Sequence, residues 1–203
     1  MNTYFVTGIG TDVGKTIVSA IITEALEADY WKPVQAGDVD SGDKHRVKQL
    51  ISNNKSVFYD NTYALKTPMS PHGAAEIDGI TIDVDSIKKP KTKNNLVIEG
   101  AGGLLVPLNN TKTVLDLITK TDTVIVVSRH YLGSINHTLL TVEQLKQKGF
   151  KNIVILFNGN EHKSTEDIIS KITKIPVLGR INDEPYFDKN VIKEYANLFK
   201  AKL

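Results

Sequence analysis

The chain contains no cysteine, which excludes disulfides, zinc–thiolate sites and thiol nucleophiles together. It has no apolar stretch long enough to cross a bilayer. An apolar run begins already at Tyr4, leaving no room for a secretory leader, so a soluble cytoplasmic protein is expected. Neither sign of charge dominates: 25 Lys and Arg stand against 23 Asp and Glu, a formal charge of +2. That balance argues against nucleic acid or an acidic membrane surface as partner. Internal repeats and low-complexity tracts are absent. With 40% hydrophobic and 24% charged side chains in 203 residues, the composition is that of a globular enzyme forming one domain over residues 1–203.

Short apolar, β-branched runs alternate with segments of helical period. The runs lie at 3–7, 30–34, 95–100, 123–128, 152–158 and, weakly, 175–179. Near-continuous apolar strands imply burial on both faces, which a parallel sheet covered by helices provides. Helices are expected at 15–28, 43–52, 134–148, 164–172 and 189–202, with a short one over 113–120. This alternation predicts an open α/β fold, in which ligands collect beyond the carboxyl ends of the strands. Segment 53–94 is less regular. "TPMSPHGAAEIDG" reads as a functional loop entering a short helix, and "KKPKTKNN" as a solvated turn before a buried strand.

The first candidate site is "FVTGIGTDVGKTIVSAI", residues 5–21. It follows a strand and opens a helix, as a phosphate-binding loop must, yet it misses the spacing G-x-x-x-x-G-K-[ST]. Counting back from Gly14-Lys15-Thr16, the first glycine's place holds Ile9, with Gly8 and Gly10 on either side. Such a loop needs inward backbone N–H groups, a helix N-terminus facing the anion, a lysine for the phosphates and a hydroxyl for Mg²⁺. Gly14, Lys15 and Thr16 supply these. The alternative is a glycine turn bearing a surface Lys-Thr.

Other segments share that chemistry. "LVIEGAGGLLVP" (96–107) is an apolar strand ending in Glu99, a carboxylate placed to hold Mg²⁺ or its water shell. In "WKPVQAG" (31–37), Lys32 falls within the expected second strand, where a lysine is costly unless it faces an anion. "DSGDKHRV" (40–47) puts Asp43 at a helix start, where N-capping and metal binding explain it equally well. "LGSINHTLLT" (132–141) is a helix start with Ser134 as the expected N-cap, whose free N–H groups suit a carboxylate. Plain capping is the competing explanation.

In order, these blocks, together with "SPH" and a late strand ending in Asn158, resemble dethiobiotin synthetase over residues 3 to about 181. That family carries the same longer loop spacing. The resemblance implies an α/β, P-loop NTPase-type three-layer sandwich with a mostly parallel sheet. It also implies an ATP- and Mg²⁺-dependent ring closure of 7,8-diaminononanoate with CO₂ (or bicarbonate) to dethiobiotin, through a carbamate and a carbamic-phosphoric anhydride.

Carried over position by position, Asp12, Val13, Gly14, Lys15, Thr16 and Ile17 would hold nucleotide, as would Gly100, Ala101 and Gly102. Thr16, Asp43 and Glu99 would bind Mg²⁺, while Lys15 and Lys32 would act in catalysis. Asn158 and Gly159 would meet the base, because a carboxamide matches the N7 and N6 edge of adenine. Ile181, Asn182 and Asp183 would close over the base. Thr11, Lys32, Ala36, Pro71 and His72 would line the substrate, although a solvated loop histidine is an equal reading of His72. Ser134, Ile135 and Asn136 would reach the substrate tail from the neighbouring subunit of a homodimer, with active sites at the interface.

Three features depart from this pattern or qualify it. Asn182 stands where the family usually has proline, and Ala36 where it has a small hydroxyl residue. Glu161, three residues after Asn158, falls roughly where GTPases keep a guanine-reading carboxylate; ATP remains the expected nucleotide. Two other classes share the loop. A partitioning-type ATPase switch would carry an extra lysine inside the loop, and "GIGTDVG" has none. A cobyrinate amidoligase-like enzyme would normally bring a catalytic cysteine, which is absent.

Overall fold

The computed structural model describes residues 1–203. Its centre is a six-stranded, wholly parallel sheet of β1 (Thr3–Gly8), β2 (Asp29–Trp31), β5 (Leu96–Gly103), β6 (Thr123–Arg129), β7 (Ile153–Asn158) and β8 (Val177–Ile181), in the order β2-β5-β1-β6-β7-β8. Parallel strands must be covered on both faces. Helices α1 (Lys15–Leu26), α2 (Asp43–Leu50) and α6 (Lys189–Lys200) pack together on one side, and α4 (Ser134–Gln147) and α5 (Lys163–Thr173) on the other. The expected three-layer α/β architecture is therefore present.

The expected second strand is interrupted. β2 stops at Trp31, and after Lys32 and Pro33 the chain enters β3 (Val34–Ala36), which pairs with β4 (Tyr63–Leu65) in a separate two-stranded sheet. Pro33 cannot donate to a ladder, so the break falls there and Lys32 lies between the strands rather than within one. The short helix α3 (Pro71–Ile77) packs on this small sheet. Segment 113–120 forms only a 3-10 turn, Val114–Leu117.

Helix α1 is rich in β-branched residues that favour helix weakly. It forms because its apolar residues are buried against the sheet and α6: Ile17, Val18, Ala20, Ile21, Ile22 and Ala25 are all inside. Glu27, in the left-handed region at φ 48°, ends it. The lysine-rich turn is less solvated than its composition implies. Lys89 ion-pairs with the buried Asp122, and Thr92 and Asn94 donate to the buried Asp29. Those tethers hold the turn that leads into β5.

Glu24 of α1 anchors the segment after α2. Its carboxylate accepts from the Ser52 and Asn53 backbone N–H groups at 2.9 and 3.0 Å and from the side chains of both residues. Partial burial pushes its pKa up, but the Ser52 and Asn53 hydrogen bonds outweigh this and hold it below its ordinary 4.5. A depressed carboxylate contributes stability above its unfolded pKa and loses it as pH falls through the folded value. Glu24→Gln should therefore cost about 1 kcal/mol at neutral pH. In urea melts across the acid range, the gap between wild type and variant should close as pH drops below 4.5. A gap that persists unchanged in acid rules out the ionised anchor.

Candidate active site

The turn from β1 into α1 is shaped by two glycines. A Cβ on Gly8 would lie 2.5 Å from Val13 Cγ2 and 2.9 Å from the Gly10 carbonyl, so no other residue fits. Gly10 carries no such constraint, its nearest neighbour being 4.0 Å away. The obligate first glycine thus sits one residue upstream of the usual spacing, and the extra residue is absorbed within the loop. Gly14, at φ 97°, caps α1, and a Cβ there would overlap Asn158 Nδ2. No side chain caps α1, so its first N–H groups remain open to the cleft.

Four charged groups meet beyond this turn. Lys32 Nζ ion-pairs with Asp43 and lies 3.4 Å from Glu99 Oε1. Lys15 Nζ folds back to donate to the Gly10 carbonyl at 3.0 Å. Thr16 Oγ1 is 2.8 Å from Asp43 Oδ1 and 2.9 Å from Glu99 Oε1. Asp43 is the first residue of α2, whose N-cap is Gly42, and its side chain faces this cluster. The capping alternative is excluded. Tyr30, fully buried, donates to Glu99 Oε2 at 2.8 Å.

Burial lowers the pKa of Lys15; Glu99 opposes that and the nearby Lys32 reinforces it. Burial also pulls Lys32 down, but Glu99 and Asp43 outweigh it and raise the net value. Asp43 is pushed up by burial and brought below its usual range by Lys32 and Thr16. The set thus places two lysines against two acidic side chains.

A hydroxyl has one proton, so Thr16 can serve only one of its two carboxylate neighbours at a time. Three oxygens then face a common region with too few protons among them, a donor set that suits a hard cation. No cluster of three or more His, Asp or Glu forms here, so a cation would take further ligands from water or phosphate. That is how Mg²⁺ is usually held.

The cluster opens into a cleft of about 810 Å³. Thr11, Asp12, Gly14, Lys15, Thr16 and Ile17 line it from the loop, and Lys32, Ala36, Asp43 and Pro71 from the small-sheet side. Glu99, Ala101 and Gly102 contribute from the end of β5, and Asn158, Asn182 and Asp183 from the far side. Asn158 Nδ2 donates to the Val13 carbonyl at 2.8 Å, which fixes the amide orientation. Glu161 is held by Arg180, at 3.4 Å, and does not line the cleft. The backbone N–H of Asn182, which a proline would lack, donates to the Tyr195 hydroxyl at 3.0 Å. Ala36 offers the cleft no side-chain hydrogen bond.

Other candidate residues lie off the cleft. Val13 is buried beneath the loop, Gly100 is packed against Phe5 and Val114, and Ile181 is in the core. Gly159 turns the chain at φ 112° beside His130. His72 is exposed and contacts Ser70. Ser134 is the first residue of α4 rather than its cap, which is Gly133 at φ 101°. Ile135 does not border the cleft, and Asn136 borders a separate groove between α4 and α5.

Sequence reasoning missed Gln35, Arg46, Arg129, Glu184 and Phe187 on the cleft wall. Arg129 ends β6, and its place at a strand's carboxyl end was the available signal. Its Nη1 donates to the Asp12 carbonyl at 3.0 Å. Tyr30 carried no signal, since it reads as an ordinary core aromatic.

Residues 2–191 match the family described as an AAA domain. A protein of Christiangramia forsetii named ATP-dependent dethiobiotin synthetase BioD is 62% identical, covering 98% of this chain and 97% of its own. One of the same name from Cytophaga hutchinsonii is 49% identical, covering 97% and 96%. Among solved structures, the cell division ATPase MinD of Pyrococcus furiosus superposes with a TM-score of 0.62 at 13% identity, covering 100% of both chains. At that identity the likeness is one of fold.

Removing Lys32 leaves two carboxylates without their shared cation. Lys32→Met should cost roughly 3 kcal/mol, the low end for a broken buried pair, because the Asp43 side chain keeps 27% exposure. Adding Asp43→Asn should recover part of that loss. Urea unfolding measures both; a single variant as stable as wild type would falsify the ion-pair role.

Proposed function

The chain belongs to the dethiobiotin synthetase family, the ATP-dependent cyclo-ligases of biotin biosynthesis, and from that premise we propose that it closes the urea ring of dethiobiotin. Its substrates are 7,8-diaminononanoate, CO₂ and MgATP, and its products are dethiobiotin, ADP and phosphate. The observation that carries this reading is that Lys32, paired with Asp43 and Glu99, and Lys15, at the open N-terminus of α1, line one cleft.

One substrate amine takes up CO₂, losing a proton, to give a carbamate. A carbamate oxygen then attacks the γ-phosphorus as the bond to ADP breaks. The second amine attacks the carbamate carbon and gives its proton to the departing phosphate, so the C–O bond breaks and the ring closes. The first phosphoryl step brings two anions together, so it requires fixed positive charge. Lys32 is placed to neutralise carbamate and γ-phosphate, and Lys15 the phosphate that its loop surrounds. Asp43 and Glu99 offset the two lysines, so the lysines alone do not match the charge of a triphosphate. Mg²⁺ held by Thr16, Asp43 and Glu99 would supply the missing charge. The phosphoryl step needs no general base, because the carbamate is already an anion, and alignment of the reactants supplies much of the rest.

The locked Asn158 amide presents its oxygen and its second N–H to the base. That pair complements adenine N6 and N7 and opposes guanine O6. Asn182 and Asp183 would flank the base. The protein works in the cytoplasm as one domain, residues 1–203, supported by a single contiguous apolar core. It also works as a homodimer in which Ser134, Ile135 and Asn136 of each subunit hold the substrate carboxylate for the other. An α4 N-terminus with open N–H groups suits that carboxylate, and remote binding energy there orients the two amines.

Phosphate release from MgATP should require both diaminononanoate and bicarbonate. Lys15→Ala and Lys32→Gln, checked for folding by circular dichroism, should lower kcat on the order of 10²–10³-fold. Near wild-type turnover by Lys32→Gln removes it from the reaction.

The shared site is tested by mixing inactive Lys15→Ala subunits with subunits in which Asn136 is replaced by Trp. One site of each mixed dimer then joins an intact loop to an intact α4 end, and part of the activity should return. No recovery after verified exchange, or an active monomer by light scattering, defeats the shared-site arrangement.

A further inference from the structure

The two oxygens of Glu99 meet different neighbours. Oε1 faces Thr16 Oγ1 at 2.9 Å and Lys32 Nζ at 3.4 Å, on the cleft side. Oε2 accepts from the Tyr30 hydroxyl at 2.8 Å, that hydroxyl's sole partner. Tyr30 lies outside every motif that marks the site, yet it is fully buried and firmly held. Its ring packs on Phe58, with centroids 5.6 Å apart. Its backbone N–H donates to Val57 at 2.9 Å, and its carbonyl accepts from Tyr59 at 3.0 Å.

We propose that Tyr30 is a positioning residue that sets the cation preference of the site, by tying back Oε2 so that Glu99 meets a metal through Oε1 alone. This rests on Thr16, Asp43 and Glu99 being the magnesium set. The physical reason lies in how the two common divalent cations use carboxylates. Mg²⁺ demands near-octahedral ligation and keeps several waters, so single oxygens serve it well. Ca²⁺ accepts more ligands in looser geometry and readily takes both oxygens of one carboxylate. A glutamate with one oxygen held inward by a rigid donor therefore loses the bidentate mode and disfavours Ca²⁺. Removing the donor while keeping the ring frees Oε2 to turn outward.

Calorimetric titration of Mg²⁺ and Ca²⁺ into protein bearing a non-hydrolysable ATP analogue tests this, for wild type, Tyr30→Phe and Glu99→Gln. Tyr30→Phe should retain Mg²⁺ binding and gain Ca²⁺ affinity, lowering the Mg²⁺-over-Ca²⁺ preference about tenfold, the scale of outer-shell effects on metal sites. A purely structural role predicts equal loss for both ions. An unchanged preference, with Mg²⁺ binding weakened in Glu99→Gln, overturns the role of Tyr30 and leaves the magnesium set standing. Unaltered Mg²⁺ binding by Glu99→Gln overturns both. If Tyr30→Phe does not fold, infrared difference spectra of the Ca²⁺-loaded wild type minus Glu99→Gln decide the matter. The carboxylate stretches of Glu99 should show the monodentate splitting, and a bidentate splitting defeats the proposal.

Discussion

The register between β1 and β5 governs the site. Val6 lies opposite Glu99 in that ladder, so the strand that carries the loop fixes the height and the face of the carboxylate beside it. Side chains alternate along a strand, so a slip of one residue would turn Glu99 away from Thr16 and bury it on the opposite face. Just past this point the register shifts, with Gly8 opposite Gly103. β5 therefore carries extra chain at Gly100–Gly102, which brings Ala101 and Gly102 to the cleft wall.

Around that register the loop is held from several directions. Gly8 admits the Val13 side chain beneath it, and Asn158 grips the Val13 carbonyl from β7. Arg129 holds the Asp12 carbonyl from β6, at a residue whose φ of 55° is unusual for a non-glycine. The loop that would surround phosphate is thus set by strands on its far side as well as by its own glycines. Preorganised N–H groups need no rearrangement when an anion arrives, which is the condition for strong electrostatic stabilisation.

Much of this was legible in the sequence. The apolar strands, the helix faces and the loop with Lys15 and Thr16 follow from periodicity and glycine placement, and Glu99 from closing an apolar run, although β5 continues past it to Gly103 rather than ending there. What escaped the sequence depends on three-dimensional neighbours. Whether a proline ends a strand or starts a new sheet is settled by β4, far along the chain, so Lys32 was placed in a strand rather than after one. Capping and ligation use the same side chain at a helix start. Only the presence of Thr16 and Lys32 opposite Asp43 separates them. The turn at 88–95 reads as solvated because its lysines are many, while its anchors, Asp29 and Asp122, are distant in sequence. Tyr30 was invisible for a plainer reason: an aromatic in an apolar run gives no hint of where its hydroxyl points.

Because Asn158 completes a loop that begins at Gly8, the order of synthesis runs against the order of assembly. β1 emerges first, yet its two sheet partners begin at Leu96 and Thr123, and the residue that grips its loop comes later still. Until most of the chain has left the ribosome, β1 has both edges open and its apolar side chains unpaired, a state prone to association with other chains. Truncated translation products ending before β7 would carry every residue of the loop motif and still lack the grip that shapes it. Competence to bind nucleotide is thus deferred to near the end of synthesis, and aborted chains are left without the ligand stabilisation available to the finished protein.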